Sequence, residues 1–271
     1  MSKISERLKN ARISEGFCTI CGKFGRLSKD HVPPRCAINI QPMLQKTISE
    51  YYSSEEIKPI NAHHGSIFKT ICRDCNNNIL GSLDSEIKKP IEYFLGKLRI
   101  YLSGSCYSNI IKVPFNSNLF LKAMVGHLLA ATSVESCKNE LTESEFYTPL
   151  RKFVLGQNED IKLTHDFYYW FYPNKLQITS QLASFYNDGN LCLCCCMHFF
   201  PIAFLITLKE RGTYPAQATK LELDDKNLYF NMSPINFKYA NFPFVPLYGN
   251  QVILFSSGYT CVSYPRNNLI Y

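Results

Sequence analysis

Four cysteines in two pairs carry the first chemical signal of this 271-residue chain. Cys18 and Cys21 lie in FCTICGK, and Cys72 and Cys75 lie in TICRDCNN, with two residues between the members of each pair. That spacing lets two thiolates on one tight turn converge on a single metal, and two such turns complete the tetrahedron that zinc takes in structural sites. Gly22 follows the first pair, where the turn needs a permissive backbone. Four protein ligands leave no open position for a substrate, so the zinc is expected to hold the fold, with any chemistry elsewhere. The plain alternative is four buried cysteines, and the chain does use cysteine that way: Cys192 and Cys194–Cys196 stand in an apolar run and read as core.

The second signal lies between the pairs. Asp30 and His31 sit in LSKDHVPPR at the end of an expected strand. Strand side chains alternate, so the two turn to opposite faces, and one can hold a metal while the other faces a water. Asn76 follows the second cysteine pair at an expected helix start. A strand-end carboxylate and a helix-start amide oxygen can together hold a hard cation such as magnesium, with waters and phosphate filling the remaining positions.

The order C-x2-C, then D-H-V-x-P, then I-C-x2-C-N resembles the HNH nucleases, specifically the branch whose ββα-metal motif is stapled by a four-cysteine zinc site. The matching residues are Cys18, Cys21, Asp30, His31, Pro33, Cys72, Cys75 and Asn76. The resemblance implies His31 as general base and a catalytic magnesium or other divalent ion on Asp30 and Asn76. The family often has an Asn before the second strand that orients the base. The matching position here is Ser66, with Asn61 as another candidate, and a serine offers a shorter hydrogen bond. The implied reaction is hydrolysis of a phosphodiester in DNA to a 5′ phosphate and a 3′ hydroxyl: neutral His31 takes a proton from water, and the ion neutralises charge on the scissile phosphate. Lys29, Arg35, Lys69 and Arg73 surround the motif as expected phosphate contacts. Double-stranded DNA is the expected partner, though RNA presents the same bond. The competing reading is a non-catalytic zinc module that binds nucleic acid. His63 and His64 stand before Cys72, as further ligands or as loop residues. His127, His165 and His198 lie on or beside apolar segments and read as structural.

The elements that must position these residues are partly legible. Hydrophobic residues make up 46% and charged residues 19%, which excludes disorder for most of the chain. Residues 1–109 hold 16 Lys+Arg against 10 Asp+Glu, whereas residues 110–271 hold 13 against 12, so the basic excess points to a polyanion at the N-terminal segment. The expected fold is α+β: a zinc-stapled ββα-metal (HNH) domain over 1–109, then a helical segment and an antiparallel β-rich domain over 110–271.

Within residues 1–109, a helix is expected over Ser5–Ile13, a strand over Ser66–Ile71, and a helix over Cys75–Phe94, broken or ended near Pro90. Residues 37–62 read as an irregular insertion, with one helix candidate around Pro42–Tyr52, able to touch substrate or the second domain. Within residues 110–271, helices are expected over Leu119–Val134 and Glu143–Leu155, the latter behind a Thr142/Glu145 capping box. Strands follow at 167–172, 176–180, 191–199, 203–208, 228–231, 252–256 and 259–264. The 18-residue run Leu191–Leu208 is near the length of a membrane span, but His198 and Pro201 interrupt it, so it reads as buried strands. No membrane partner is expected. The N-terminus lacks the apolar core of a signal peptide, and with 12 cysteines this predicts a reducing, cytoplasmic setting. The second domain could form a recognition pocket, a homodimer interface or a regulatory cover over the nuclease.

Overall fold

The apolar run Leu191–Leu208 lacks alternation from Cys194 onward because both faces of that stretch are covered, whereas Leu191 and Leu193 are exposed. A computed structural model describes residues 4, 13–38, 42–62, 66–104, 108–157, 160–255 and 259–266. Among these, nine strands form one antiparallel sheet. Strands β9 (Asn190–Phe199) and β10 (Ile202–Leu208) pair near its middle. Cys195, Met197 and Phe204 face one core, while Cys194, Cys196 and Leu205 face a second with Trp170 and Phe242. A strand buried on both sides reads as a continuous apolar stretch. No described helix is long and apolar enough to cross a membrane.

On one side β10 pairs β7 (His165–Phe171), which pairs β11 (Thr219–Lys220). On the other side β9 pairs β8 (Gln177–Asn187). The first residues of β8 then pair β14 (Thr260–Pro265), and its later residues pair β13 (Val252–Phe255). A register shift between Ser180 and Ala183 separates these two stretches, which carries β8 beyond its expected end at Ser180. Beside the sheet, β6 (Ile110–Pro114) and β12 (Asn227–Asn231) form a two-stranded ribbon.

The insertion at 37–62 is not irregular. It holds β3 (Met43–Thr47), the short helix α1 (Ile48–Tyr52) and β4 (Ile60–Ala62). Met43, Gln45 and Thr47 are buried, the period-two pattern of a half-covered strand. Thr47 and Glu50 form a capping box, so the helix starts after the strand rather than at Pro42. Strand β3 pairs β14, which places this segment at the edge of the large sheet.

The candidate site belongs to a smaller sheet. Strands β1 (Glu15–Phe17), β2 (Phe24–His31) and β5 (Ile67–Cys72) are antiparallel, with β2 in the centre. The chain leaves β5 through a π-helical segment, Cys75–Leu80, and continues as α2 (Gly81–Leu102). Along the chain β3 and β4 of the large sheet, with α1, come between β2 and β5, and the helix follows β5 directly. Pro90 lies inside α2 and does not end it. Ile87, Pro90, Ile91 and Phe94 are all buried, and packing of that face offsets the hydrogen bond a helix loses at proline.

Helix α3 (Ser117–Ala130) lies between the two sheets and is buried from Ala123 to its end. Thr70 of β5 donates to the Ala130 carbonyl at 2.5 Å, and Gln181 of β8 donates to the Leu129 carbonyl at 2.8 Å. Both carbonyls fall in the last turn, where no intrahelical partner exists. Helix α4 (Tyr147–Val154) starts later than expected and without the Thr142/Glu145 box. Ser144 takes the capping role, its Oγ accepting from the backbone N–H groups of Phe146 and Tyr147 at 3.2 Å each. One apolar core contains Ile20, Val32, Phe68 and Leu80 together with Leu128, Phe153 and Phe204. The composition break near residue 109 therefore does not divide the interior. Most of the expected helix over Ser5–Ile13, and both His63 and His64, lie outside the described residues.

Candidate metal centre and Asp–His site

The two cysteine pairs meet. Cys18 follows β1, Cys21 sits in the turn before β2, Cys72 ends β5 and Cys75 opens the helix. Their Sγ atoms lie within 4.8 Å of one another, and Cys21 and Cys72 are 3.7 Å apart. Zinc–sulfur bonds of about 2.3 Å in a tetrahedron put sulfurs about 3.8 Å apart, so the cluster fits a metal such as zinc. The first turn closes by Gly22 N–H donating to the Cys18 carbonyl at 2.9 Å, with Gly22 at φ 73°, a left-handed conformation that glycine adopts without strain. In the second turn the Cys75 N–H points at Cys72 Sγ at 3.5 Å. The hydrogen bond from Cys75 lowers the Cys18 thiol to about 5, while burial raises Cys21 to about 11. Cys75 is pushed up, first by that same bond to Cys18. The Cys18 thiolate is thus favoured while Cys21 and Cys75 resist ionising, a resistance that a cation at the centre removes.

Next to this cluster, β2 carries a bulge between Ser28 and Asp30. Leu27 and Asp30 are both buried, although they are three residues apart. Asn76, in the first turn of the helix, donates its side-chain Nδ2 to the Lys29 carbonyl at 2.7 Å and to Ser28 Oγ at 2.8 Å. The Lys29 carbonyl belongs to the peptide that joins Lys29 to Asp30, so the helix start is bonded directly beside Asp30. The wide π turn gives Asn76 this place: the Gly81 N–H reaches the Asn76 carbonyl five residues back. Both amide protons are spent on β2, and Oδ1 is the oxygen left to act as a donor atom.

Asp30 has a partner that sequence reading missed. Its Oδ2 lies 2.9 Å from Nδ1 of His127 on α3, and both side chains are about 95% buried, at 6% and 4% exposed. His127 Nε2 faces Asp84 Oδ1 of α2 at 3.5 Å. Burial alone would lower the His127 pKa, but Asp30 and then Asp84 outweigh it and raise it to about 9. The two aspartates thus favour the protonated ring. The signal was available in principle, since a buried histidine and a buried aspartate each need a partner. What the sequence lacked was any pointer across the 97 residues between them.

His31 is half-buried at the end of β2, opposite Ile67 of β5. The Ser66 hydroxyl, expected to orient it, is taken up by the large sheet: Gln45 Nε2 donates to it at 2.7 Å and Ser263 Oγ lies at 2.8 Å. Only the Ser66 backbone reaches the neighbourhood of His31, its carbonyl accepting from Val32 N–H at 3.0 Å. Asn61 lies in β4, opposite Leu44. Lys29, Arg35 and Arg73 are exposed, whereas Lys69 is half-buried with Nζ donating to the Ile13 carbonyl at 3.1 Å. His165 and His198 are buried in the core. No protein-family model, curated protein or solved structure matches this chain.

Proposed function

We propose that this chain is a metal-dependent endonuclease of the HNH type that hydrolyses phosphodiester bonds in DNA. The observation that carries the reading is the bond from Asn76 to the Lys29–Asp30 peptide, beside the four-cysteine cluster. It joins the start of the helix to the strand end that bears Asp30 and His31. Among the described residues, the four cysteines are the one group of three or more His, Cys, Asp or Glu gathered closely enough to share a metal. A second, exchangeable divalent ion would therefore rest on few protein atoms, namely Asp30 Oδ1 and Asn76 Oδ1. That suits magnesium, which keeps several waters and takes one or two carboxylates plus substrate phosphate.

When bound, the ion supplies charge neutralisation on the scissile phosphate and the leaving oxygen. His31, on the strand next to Asp30, takes the proton from the attacking water. Lys29, Arg35 and Arg73 hold the flanking backbone through phosphate contacts that carry no sequence information. The zinc cluster takes no part in the step: it pins the first strand and the helix start, and so fixes the distance between base and metal donors.

Nicking of supercoiled plasmid tests this reading. The intact protein should nick with magnesium and stop with EDTA. His31→Ala should lose about 100-fold or more in rate, the usual scale for a lost general base, while still binding DNA through the basic side chains. Wild-type cleavage by His31→Ala under single-turnover conditions would reject the enzyme reading and leave a zinc module that binds nucleic acid.

A further inference from the structure

Helix α3 packs on every side from Ala123 onward, yet it carries a histidine in its last turn. An imidazole in such a place costs free energy unless it is paired, and so does the buried Asp30 carboxylate. Each meets that cost for the other at 2.9 Å. Asp84, whose Oδ1 lies 3.5 Å from the opposite ring nitrogen at ion-pair distance, is eight residues beyond Asn76 on the same continuous helix. The helix thus approaches Asp30 twice, through Asn76 at the neighbouring peptide and through Asp84 behind the imidazole.

We infer that His127 is the positioning residue of the divalent-metal site: it holds Oδ2 of Asp30 and so presents Oδ1 to the ion, with Asp84 facing the imidazole from its far side. This rests on the assignment of Asp30 as a metal ligand in the nuclease reading. The physical content is restriction of a rotor. A lone aspartate offers a cation two oxygens in many orientations; one bonded through Oδ2 offers a single oxygen in a set direction. Outer-shell partners of this kind are worth about 10–100-fold in metal affinity or activity. A side chain that keeps a donor at Oδ2 should therefore keep the ion, and one that moves the donor away should lose it.

The experiment uses the full zinc-loaded chain and Mn2+, with bound and free Mn2+ separated by electron paramagnetic resonance and plasmid nicking followed alongside. In His127→Asn the amide nitrogen falls near the place of Nδ1 and can still donate to Asp30. In His127→Gln it falls near Nε2 and faces Asp84 instead. The expected result is near wild-type Mn2+ affinity for His127→Asn and a loss of about 10–100-fold for His127→Gln, with one zinc per chain retained in both. A residue that merely fills space would not separate the two amides in this order. His127→Ala, measured in parallel, should match the glutamine variant and replaces it if that protein fails to retain zinc. Unchanged or tighter Mn2+ binding by the glutamine and alanine variants overturns the inference. Asp30→Ala separates the two levels. If it binds Mn2+ normally, the metal assignment fails and this inference with it; if it loses Mn2+ while the His127 variants do not, only the role of His127 fails.

Discussion

The candidate site rests on two turns that each bring two cysteines to one cluster and on one amide, Asn76, that bonds the strand end beside it. The two cysteine turns are local, and Asp30, His31 and Asn76 stand at fixed steps from them, so the candidate site was visible as a pattern. His127 was visible only as an oddity in an apolar helix, because its partner is set by the packing of α3 against β2. The cysteine cluster gives the most direct prediction at this scale. Cys72→Ser should release the metal and melt the β1–β2–β5 sheet, since structural zinc binding of about 10–16 kcal/mol is folding free energy. Metal analysis with circular dichroism checks this, and Cys194→Ser, at a core cysteine outside the cluster, should keep its zinc. His198 gives a prediction in pH. It is fully buried between the rings of Trp170 and Tyr172, neither ring nitrogen has a hydrogen-bond partner, and burial depresses its pKa to about 3. The folded value lies below the unfolded value of about 6.5, so its contribution is complete above that pH and is lost as pH falls toward 3. Each unit in that window costs about 1.4 kcal/mol. Urea unfolding between pH 7 and pH 5 should show a shallower loss of stability for His198→Leu than for the wild type. Burial lowers His165 to about 4, so some acid sensitivity should remain in that variant.

At the scale of elements, the strands of the large sheet announced themselves through aromatic and β-branched runs cut by turn residues. Strands β3 and β4 did not, because a five-residue and a three-residue strand carry little periodic signal and their order comes from β14. Pro90 misled for a related reason: a local rule for ending helices yields to a buried face that continues past it. The approach of α3 to the π-helical segment is a contact of the same long-range kind. A methyl group added at Gly126 would run into Leu80, which is fully buried, with Val154 close behind. Gly126→Ala should therefore cost about 1–3 kcal/mol, the usual range for an overfilled core. In a Leu80→Ala background the same change should cost clearly less, and denaturant unfolding of the four proteins in that cycle measures the coupling.

At the scale of the whole molecule, the charge break near residue 109 marks a change of surface and leaves the interior continuous. Strand β3 needs β14, and the core that contains Val32 and Phe68 also contains Leu128 and Phe204. Expression of residues 1–109 alone should give a protein without cooperative unfolding and with exposed apolar surface, read by a fluorescent hydrophobic dye. The full chain should unfold in one calorimetric transition. An independently folding 1–109 fragment would show that the shared core is dispensable. The sequence could not reveal this, because the same residues that complete a small module in one chain can complete a common core in another.

Ser66 gives this continuity a consequence in time. It stands just before β5, across from the end of β2, and its hydroxyl is bonded to Gln45 and to Ser263, which is 197 residues further along the chain. During synthesis on the ribosome, Asp30, His31 and the four cysteines emerge long before β14 does. Until β14 arrives, Ser66 and Gln45 lack the third member of their buried trio, and β3 and β4 have no sheet to join. A chain that stops before residue 260 therefore lacks both the sheet partner of β3 and the Ser263 hydroxyl of the buried group at Ser66.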